Sequence, residues 1–329
     1  MLYYRSELRC LKHDLELKSM IKNCVKISLI ICTYNRDQYL YDTLKHIALN
    51  DYSFSDYEVV LINNNSTDRT EYECRRFQQD FPQVIFRYFV EKNQGLSYAR
   101  NRGVAEAKGE VLVFLDDDAF VRIDYLKNLT KNLLKYPDLI AFGGKITPRF
   151  ETGIEPKWFS KWTYSWVSGI DLGNEARLFK GTEYPVGANM GVVRSVFYKM
   201  AGFNTQLGRS AKNLMGGEEY DFFNSIKETG ASIYYFPDIE VEHIIPENRT
   251  TIEYIKRLAL GNGVSERMRT LNISKYKFFK RLVFEVIQWV ASLVVFFRYL
   301  IVFKPEKGAV LVLRRWYVTK GLLMKQQTV

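Results

Sequence analysis

The chain is poor in the residues that mark a cross-linked or metal-stapled scaffold. Among 329 residues it has 4 cysteines and 3 histidines. Cys10, Cys24, Cys32 and Cys74 form no C-x-x-C pair and no His-spaced zinc pattern, which excludes a disulfide framework and a zinc ribbon. Cys32 lies inside a strongly apolar run and reads as a buried core thiol. With 8 Pro and 20 Gly, the composition is neither collagen-like nor disordered. The N-terminus, MLYYRSELRCLKHDLELK, carries charges where a signal peptide needs an apolar stretch, so it reads as a reduced, cytoplasmic-side protein. The turn after the first apolar run, CTYNRDQ, contains no glycine. That absence argues against the Gly-rich triphosphate cradle of a nucleotidyltransferase and against the G-x-G-x-x-G of a dinucleotide-binding dehydrogenase.

What is present is an ordinary globular balance, 47% hydrophobic and 26% charged, with aromatics at 15%. Such an aromatic share often lines concave ligand surfaces or sits at membrane interfaces. The net charge of +10 is unevenly placed. Residues 1–250 hold 32 Lys and Arg against 33 Asp and Glu, whereas residues 251–329 hold 15 against 4. A neutral body argues against a chain that wraps nucleic acid, and the basic C-terminal part suits an anionic lipid surface.

The pattern divides the chain into a helical lead-in (1–25), a body (26–249) and a basic helical region (250–329). In the body, short β-branched runs alternate with amphipathic stretches. KISLIIC (26–32), EVVLI (58–62), VIFRYFV (84–90) and EVLVFL (110–115) read as strands. Helices are expected to about Leu49, from about Asp68 to Asp80, and over 96–108. Strands without alternation, each followed by a helix, predict a mostly parallel sheet covered on both faces. The rhythm breaks after residue 120. LIAFGGKI (139–146) reads as a further strand. The aromatic segment 150–181 reads either as a functional loop or as a helix presenting Trp158, Trp162 and Trp166 to a core. A strand near 190–194, a helix near 218–229 and a strand at SIYYF (232–236) complete the body. The apolar stretch 282–303 is long, but Glu285, Gln288, Ser292 and Tyr299 share one helical stripe and its flanks are basic. An in-plane interfacial helix therefore fits better than a membrane span, with packing on its own domain as the alternative.

Ligands of a parallel sheet bind at the C-terminal ends of its strands. Here those ends carry Thr33-Tyr34-Asn35-Arg36, then Asn63-Asn64-Asn65-Ser66-Thr67-Asp68, then Asp116-Asp117-Asp118. Three successive carboxylates leaving a buried strand repel one another unless a cation sits among them, and a hard divalent ion shared with substrate phosphates meets that need. A solvated turn or a helix cap is the plainer alternative. A second acidic cluster, Gly216-Gly217-Glu218-Glu219-Tyr220-Asp221, opens a helix. Its carboxylates either complement the helix dipole or supply a general base. A lone His243 is by itself more often structural than a ligand.

Together SLIICTYNR (28–36), VVLINNNSTDRT (59–70), NQGLSYARNRGVAEAKGEVLVFLDDDAF (93–120), VGANM (186–190) and GGEEYDFF (216–223) resemble the family 2 glycosyltransferases of the surface-polysaccharide type, in order and over about residues 26–245. The resemblance implies the GT-A fold, an α/β, Rossmann-like architecture, with a nucleotide-binding half (26–120) and an acceptor half (121–249). It implies a metal-dependent hexosyltransferase that inverts configuration. Thr33, Tyr34, Asn35, Arg36, Asn63, Asn65, Arg100, Asp116, Asp117 and Asn189 would bind the nucleoside-diphosphate sugar. Asn63 stands where the family usually has the aspartate that reads the base. Asp118 and His243 would hold Mn²⁺ or Mg²⁺. The usual Glu-Asp catalytic pair is Glu218-Glu219 here, with Glu219 as base and Asp221 as a neighbour. Trp158, Trp162 and Arg209 are expected on the acceptor side. The implied donor is a nucleotide sugar, UDP-linked by preference. The implied acceptor is a glycan or lipid-linked glycan at the inner face of the plasma membrane, where the protein would sit peripherally. No nucleic acid is expected. The rival readings are a nucleotidyltransferase and a catalytically degenerate adaptor at a membrane surface.

Overall fold

A computed structural model of the chain describes residues 26–200, 202–207 and 217–324. The lead-in expected over 1–25, with Cys10 and Cys24, and the acceptor-side candidate Arg209 lie outside the described residues. Two compact units form. Among the described residues, one contains 26–147, 170–200, 202–206 and Glu218–His243, and the other contains Pro148–Gly169 and 244–324.

In the first unit the β-branched runs become strands β1 (Ile27–Thr33), β2 (Tyr57–Asn63), β3 (Phe86–Val90) and β4 (Val111–Asp116). Helices α1 (Asp37–Ala48), α2 (Thr70–Asp80) and α3 (Leu96–Glu106) lie between them. These four strands pair in parallel in the order β3-β2-β1-β4. Successive residues of each strand serve opposite faces, as pleating requires. Leu29, Ile31, Val59, Leu61 and Val113 join the core beneath α1 and α2. Ile30, Val60, Ile62, Leu112 and Phe114 join a second core with Ala99 and Val104 of α3. Both faces of β1, β2 and β4 are covered, which is why these three read as continuous apolar runs, while β3 at the edge is only half-buried.

The rest of the sheet departs from the parallel expectation. The chain continues through β5 (Ala119–Val121), α4 (Tyr125–Lys135), β6 (Ala141–Phe150), β7 (Arg177–Leu178), β8 (Met190–Val193), α5 (Arg194–Lys199), α6 (Glu218–Glu228) and β9 (Ile233–Ile245). The sheet runs on from β4 as β8-β6-β9-β5, with β7 against β9. β8 is antiparallel to both β4 and β6, and β9 is antiparallel to β5 and β7. β9 also runs past SIYYF through Pro237, so His243 lies within a strand rather than after one. Cys32 is partly exposed at the strand end, not sealed in the core, while Cys74 is buried.

In the second unit the aromatic segment up to Gly169 forms turns and one short 3-10 turn, Tyr164–Val167. Pro156 and glycines at 153 and 169 punctuate it, so no α-helix carries the three tryptophans. Trp158 is buried among Phe150, Val167, Ile255, Val310 and Leu311, and its indole N–H donates to the Thr250 carbonyl at 2.8 Å. It is a packing residue here. Trp162 is exposed, with the Lys161 ammonium over its ring. Three helices follow: α7 (Ile252–Ile273), α8 (Lys275–Ile301) and α9 (Pro305–Leu323). The Ser274 hydroxyl caps α8 by accepting from the Lys277 N–H at 3.1 Å.

Candidate active site

Register brings the polar strand ends level with one another. Thr33 of β1 pairs with Asn63 of β2, and Cys32 pairs with Asp116 at the end of β4. The chain turns at Asp117-Asp118 and re-enters the sheet as β5, whose Ala119 pairs with His243 of β9. That antiparallel pairing places His243 beside Asp118, with Nε2 3.2 Å from Oδ1, and both side chains are buried. Asp116, Asp118 and His243 present ligand atoms that all lie within 4.8 Å of one another. Two carboxylates and an imidazole form a hard, oxygen-rich donor set that fits Mn²⁺ or Mg²⁺. The surroundings already favour positive charge there. The Arg36 guanidinium donates to Asp118 and lies 3.4 Å from Asp117 Oδ1. Burial pushes the Asp117 carboxyl up to about 6, against the pull of Arg36 and with the help of Asp118. The Thr43 hydroxyl, from α1, fixes this turn by donating to the Asp117 carbonyl at 2.7 Å.

The second cluster is organised by one cation. Arg100, on α3, is 2% exposed. Its Nη1 donates to Glu218 Oε1 at 3.0 Å and its Nη2 to Glu219 Oε1 at 2.9 Å, and Nη2 is 3.9 Å from Asp116 Oδ1. The Gly187 N–H donates to the same Glu219 oxygen at 3.0 Å. Position 187 must be glycine for this contact, since a Cβ would run into both the Arg100 guanidinium and Glu219 Oε1. Both held bonds fall on Oε1, so Oε2 is the oxygen left for other partners. Burial raises the Glu219 pKa, Arg100 opposes the rise, and Glu218 and Asp116 add to it, giving about 7. Sequence reasoning placed Arg100 against the nucleotide; the structure gives it the carboxylate pair. Asp221 is exposed, while Glu218 is buried.

The remaining candidates shape the loops around these clusters. Asn35 and Asn65 adopt left-handed backbone, φ 52° and 63°, which asparagine tolerates better than most residues. Asn35 Oδ1 accepts from the Thr67 N–H at 2.7 Å and ties the first loop to the second. Asp68 and Asp37 complete that tie, Asp68 accepting from the Asp37 N–H and Asp37 from the Arg69 N–H. Asn63 is buried, donates to the Tyr88 hydroxyl at 2.8 Å and accepts from the Ser66 N–H at 2.7 Å. Thr33 is buried and Tyr34 is exposed. Asn189 departs from its expected place on the donor-sugar wall. It is fully buried, donates to the Lys145 and Ile239 carbonyls, and accepts from the Tyr125 hydroxyl at 2.7 Å. Its amide is a cross-tie between strands. Thr43 and Gly187 were not singled out from the sequence. Gly187 was visible only as the glycine of VGANM, and nothing local marks Thr43.

Comparisons with known proteins bear on the family and the fold. The model of glycosyl transferase family 2 matches residues 28–200. A glucosyl-dolichyl phosphate glucuronosyltransferase of Haloferax volcanii is 26% identical over 252 residues, covering 75% of this chain and 78% of the relative. A GalNAc(5)-diNAcBac-PP-undecaprenol beta-1,3-glucosyltransferase of Campylobacter jejuni is 36% identical over 95 residues, 28% of this chain and 29% of that one. Among solved structures, the mannosyltransferase PcManGT from Pyrobaculum calidifontis, in complex with GDP-Man and Mn²⁺, superposes with a TM-score of 0.62 at 19% identity. That match covers 96% of this chain and 95% of the other, and it establishes likeness of fold.

Proposed function

The chain belongs to glycosyl transferase family 2 and is a glycosyltransferase of the GT-A fold, and from that premise we propose that it moves a sugar from a nucleoside diphosphate to a glycan hydroxyl with inversion. The observation that carries the reading is Arg100. It reaches Glu218, Glu219 and Asp116 at once, so the strand-end aspartates and the carboxylate pair form one locus. A UDP-sugar is the favoured donor. The lipid-linked substrates in the names of two relatives support a lipid-linked glycan acceptor. Such substrates are held in a membrane, and in this reading the protein works at the inner face of the plasma membrane, with residues 250–329 as the membrane-associated part, in the making of a surface polysaccharide.

In this reading Glu219 is the general base. Arg100 and the Gly187 N–H fix Oε1, and Oε2 accepts the proton of the acceptor hydroxyl as that oxygen attacks the anomeric carbon. A base with a pKa near 7 is matched to proton transfer near neutral pH. One displacement inverts the anomeric centre, and no covalent intermediate on the protein is needed. Asp118 and His243, with Asp116, would hold Mn²⁺ or Mg²⁺, which when bound supplies Lewis-acid neutralisation of the departing diphosphate. Arg36 is placed to balance Asp117 and Asp118. The deciding experiment is nucleotide-sugar hydrolysis across UDP-, GDP- and dTDP-sugars, with and without Mn²⁺. A metal-dependent response to UDP-sugars is expected. Silence from every donor, in protein shown to be folded, would leave a transferase-like adaptor as the better reading.

A further inference from the structure

We propose that α8 lies in the plane of an anionic bilayer leaflet, with one apolar face sunk to the headgroup boundary and the opposite face locked to its own unit. The proposal deepens the membrane reading given above and rests on it. Phe279, Val283, Val286, Val290, Val294 and Phe297 are exposed and recur at three- and four-residue spacing, so they form one face along the helix. Only 6% of the apolar window of α8 is buried. An uncovered apolar strip of this length is the mark of an interaction surface.

The other face decides the orientation. Glu285 is 3% exposed and pairs with Arg281 at 2.9 Å and with Arg315 of α9 at 3.3 Å. The Thr319 hydroxyl donates to Glu285, and the Trp289 indole N–H donates to that same hydroxyl at 2.8 Å. Arg281 also reaches Glu266 of α7 at 3.1 Å. Among the described residues, α8 is the only helix long and apolar enough to cross a membrane. Spanning would draw this charged network into hydrocarbon or tear α8 from α7 and α9, and either is costly. Lying flat keeps the network intact and takes out of water only the face that is already apolar.

Charge selects the surface. Lys275, Lys277 and Lys280 near the start of α8, Arg298 in its last turn, and Lys304 just beyond it are exposed. The one acid on α8, Glu285, is buried. Cations beside an apolar strip complement an anionic leaflet better than a neutral one, and better than a second copy of the same cationic face.

The test uses the full chain and phospholipid vesicles, with no sugar donor. Co-sedimentation is measured with phosphatidylcholine alone and with about one-third phosphatidylglycerol. Binding is expected to the anionic vesicles. The double variant Val290→Glu/Val294→Glu is expected to lose it by about tenfold or more, with an unchanged melting temperature. If that variant does not fold, Lys275→Glu/Lys277→Glu/Lys280→Glu, on exposed positions, is expected to show a loss of similar size. A fluorescent residue at 279, 290 or 301 should be quenched at one shallow depth by depth-graded lipid nitroxides. A deep 290 between two shallow ends would mean a span and overturn the proposal. Absence of vesicle binding, or dimers broken by the double variant, would overturn it as well. Donor hydrolysis by the same preparation in vesicle-free buffer tests the transferase reading separately.

Discussion

Replacing Glu219 with glutamine keeps the shape that Arg100 and Gly187 grip but removes the ionisable oxygen. Turnover is expected to fall roughly 10²–10⁴-fold, with little change in donor affinity, as read from steady-state kinetics. The wild-type pH profile carries the same signature. A base works only when ionised, and burial holds the Glu219 pKa at about 7. The rate should therefore rise with pH through about 7 and level off above it. In Glu219→Gln that limb should be gone. Asp118→Asn removes a charge from the Asp116, Asp118 and His243 cluster. Mn²⁺ affinity measured by calorimetry is expected to weaken by about tenfold or more. Asp118 is buried and ion-paired with Arg36, so its substitution also loosens that pair, and both variants are compared with wild type by circular dichroism to confirm an unchanged fold.

At the level of elements, strand and helix identity was legible wherever burial on both faces made apolar runs continuous, as in β1, β2 and β4. The polar strand ends were legible because turn residues and clustered carboxylates mark themselves locally. The antiparallel half was not, since nothing in the segment around His243 says that it will pair with Ala119. Nor does the sequence around Arg100 say that its partners lie 118 and 119 residues away. Asn189 shows the limit in another way. Its motif was visible, but its burial as a tie to the Lys145 and Ile239 carbonyls depends on how β6, β8 and β9 stack. Gly144 tests that tie. A Cβ there would strike the Ile239 carbonyl and the Asn189 amide. Gly144→Ala should cost about 1–3 kcal/mol by chemical denaturation, with overpacking of the sheet as the cause.

For the whole molecule, ligand binding should be visible as stability. A donor that binds only the folded chain adds about 2–3 kcal/mol at a hundredfold excess over its dissociation constant. The melting temperature should rise with the matching nucleotide sugar and Mn²⁺ together, and the metal-dependent part of the rise should vanish in Asp118→Asn. The long reach of Arg100 has a consequence in time as well as in space. Contacts between residues far apart in sequence close late, because the loop between them must be ordered first. The parallel strands β1 to β4 can assemble from neighbouring segments, whereas the carboxylate pair and His243 arrive with the last third of the chain. A growing chain on the ribosome is therefore expected to hold a folded but inert half-sheet until β9 has emerged. Stalled chains of increasing length, assayed for Mn²⁺ binding, should gain it in one step only after residue 243 clears the exit tunnel.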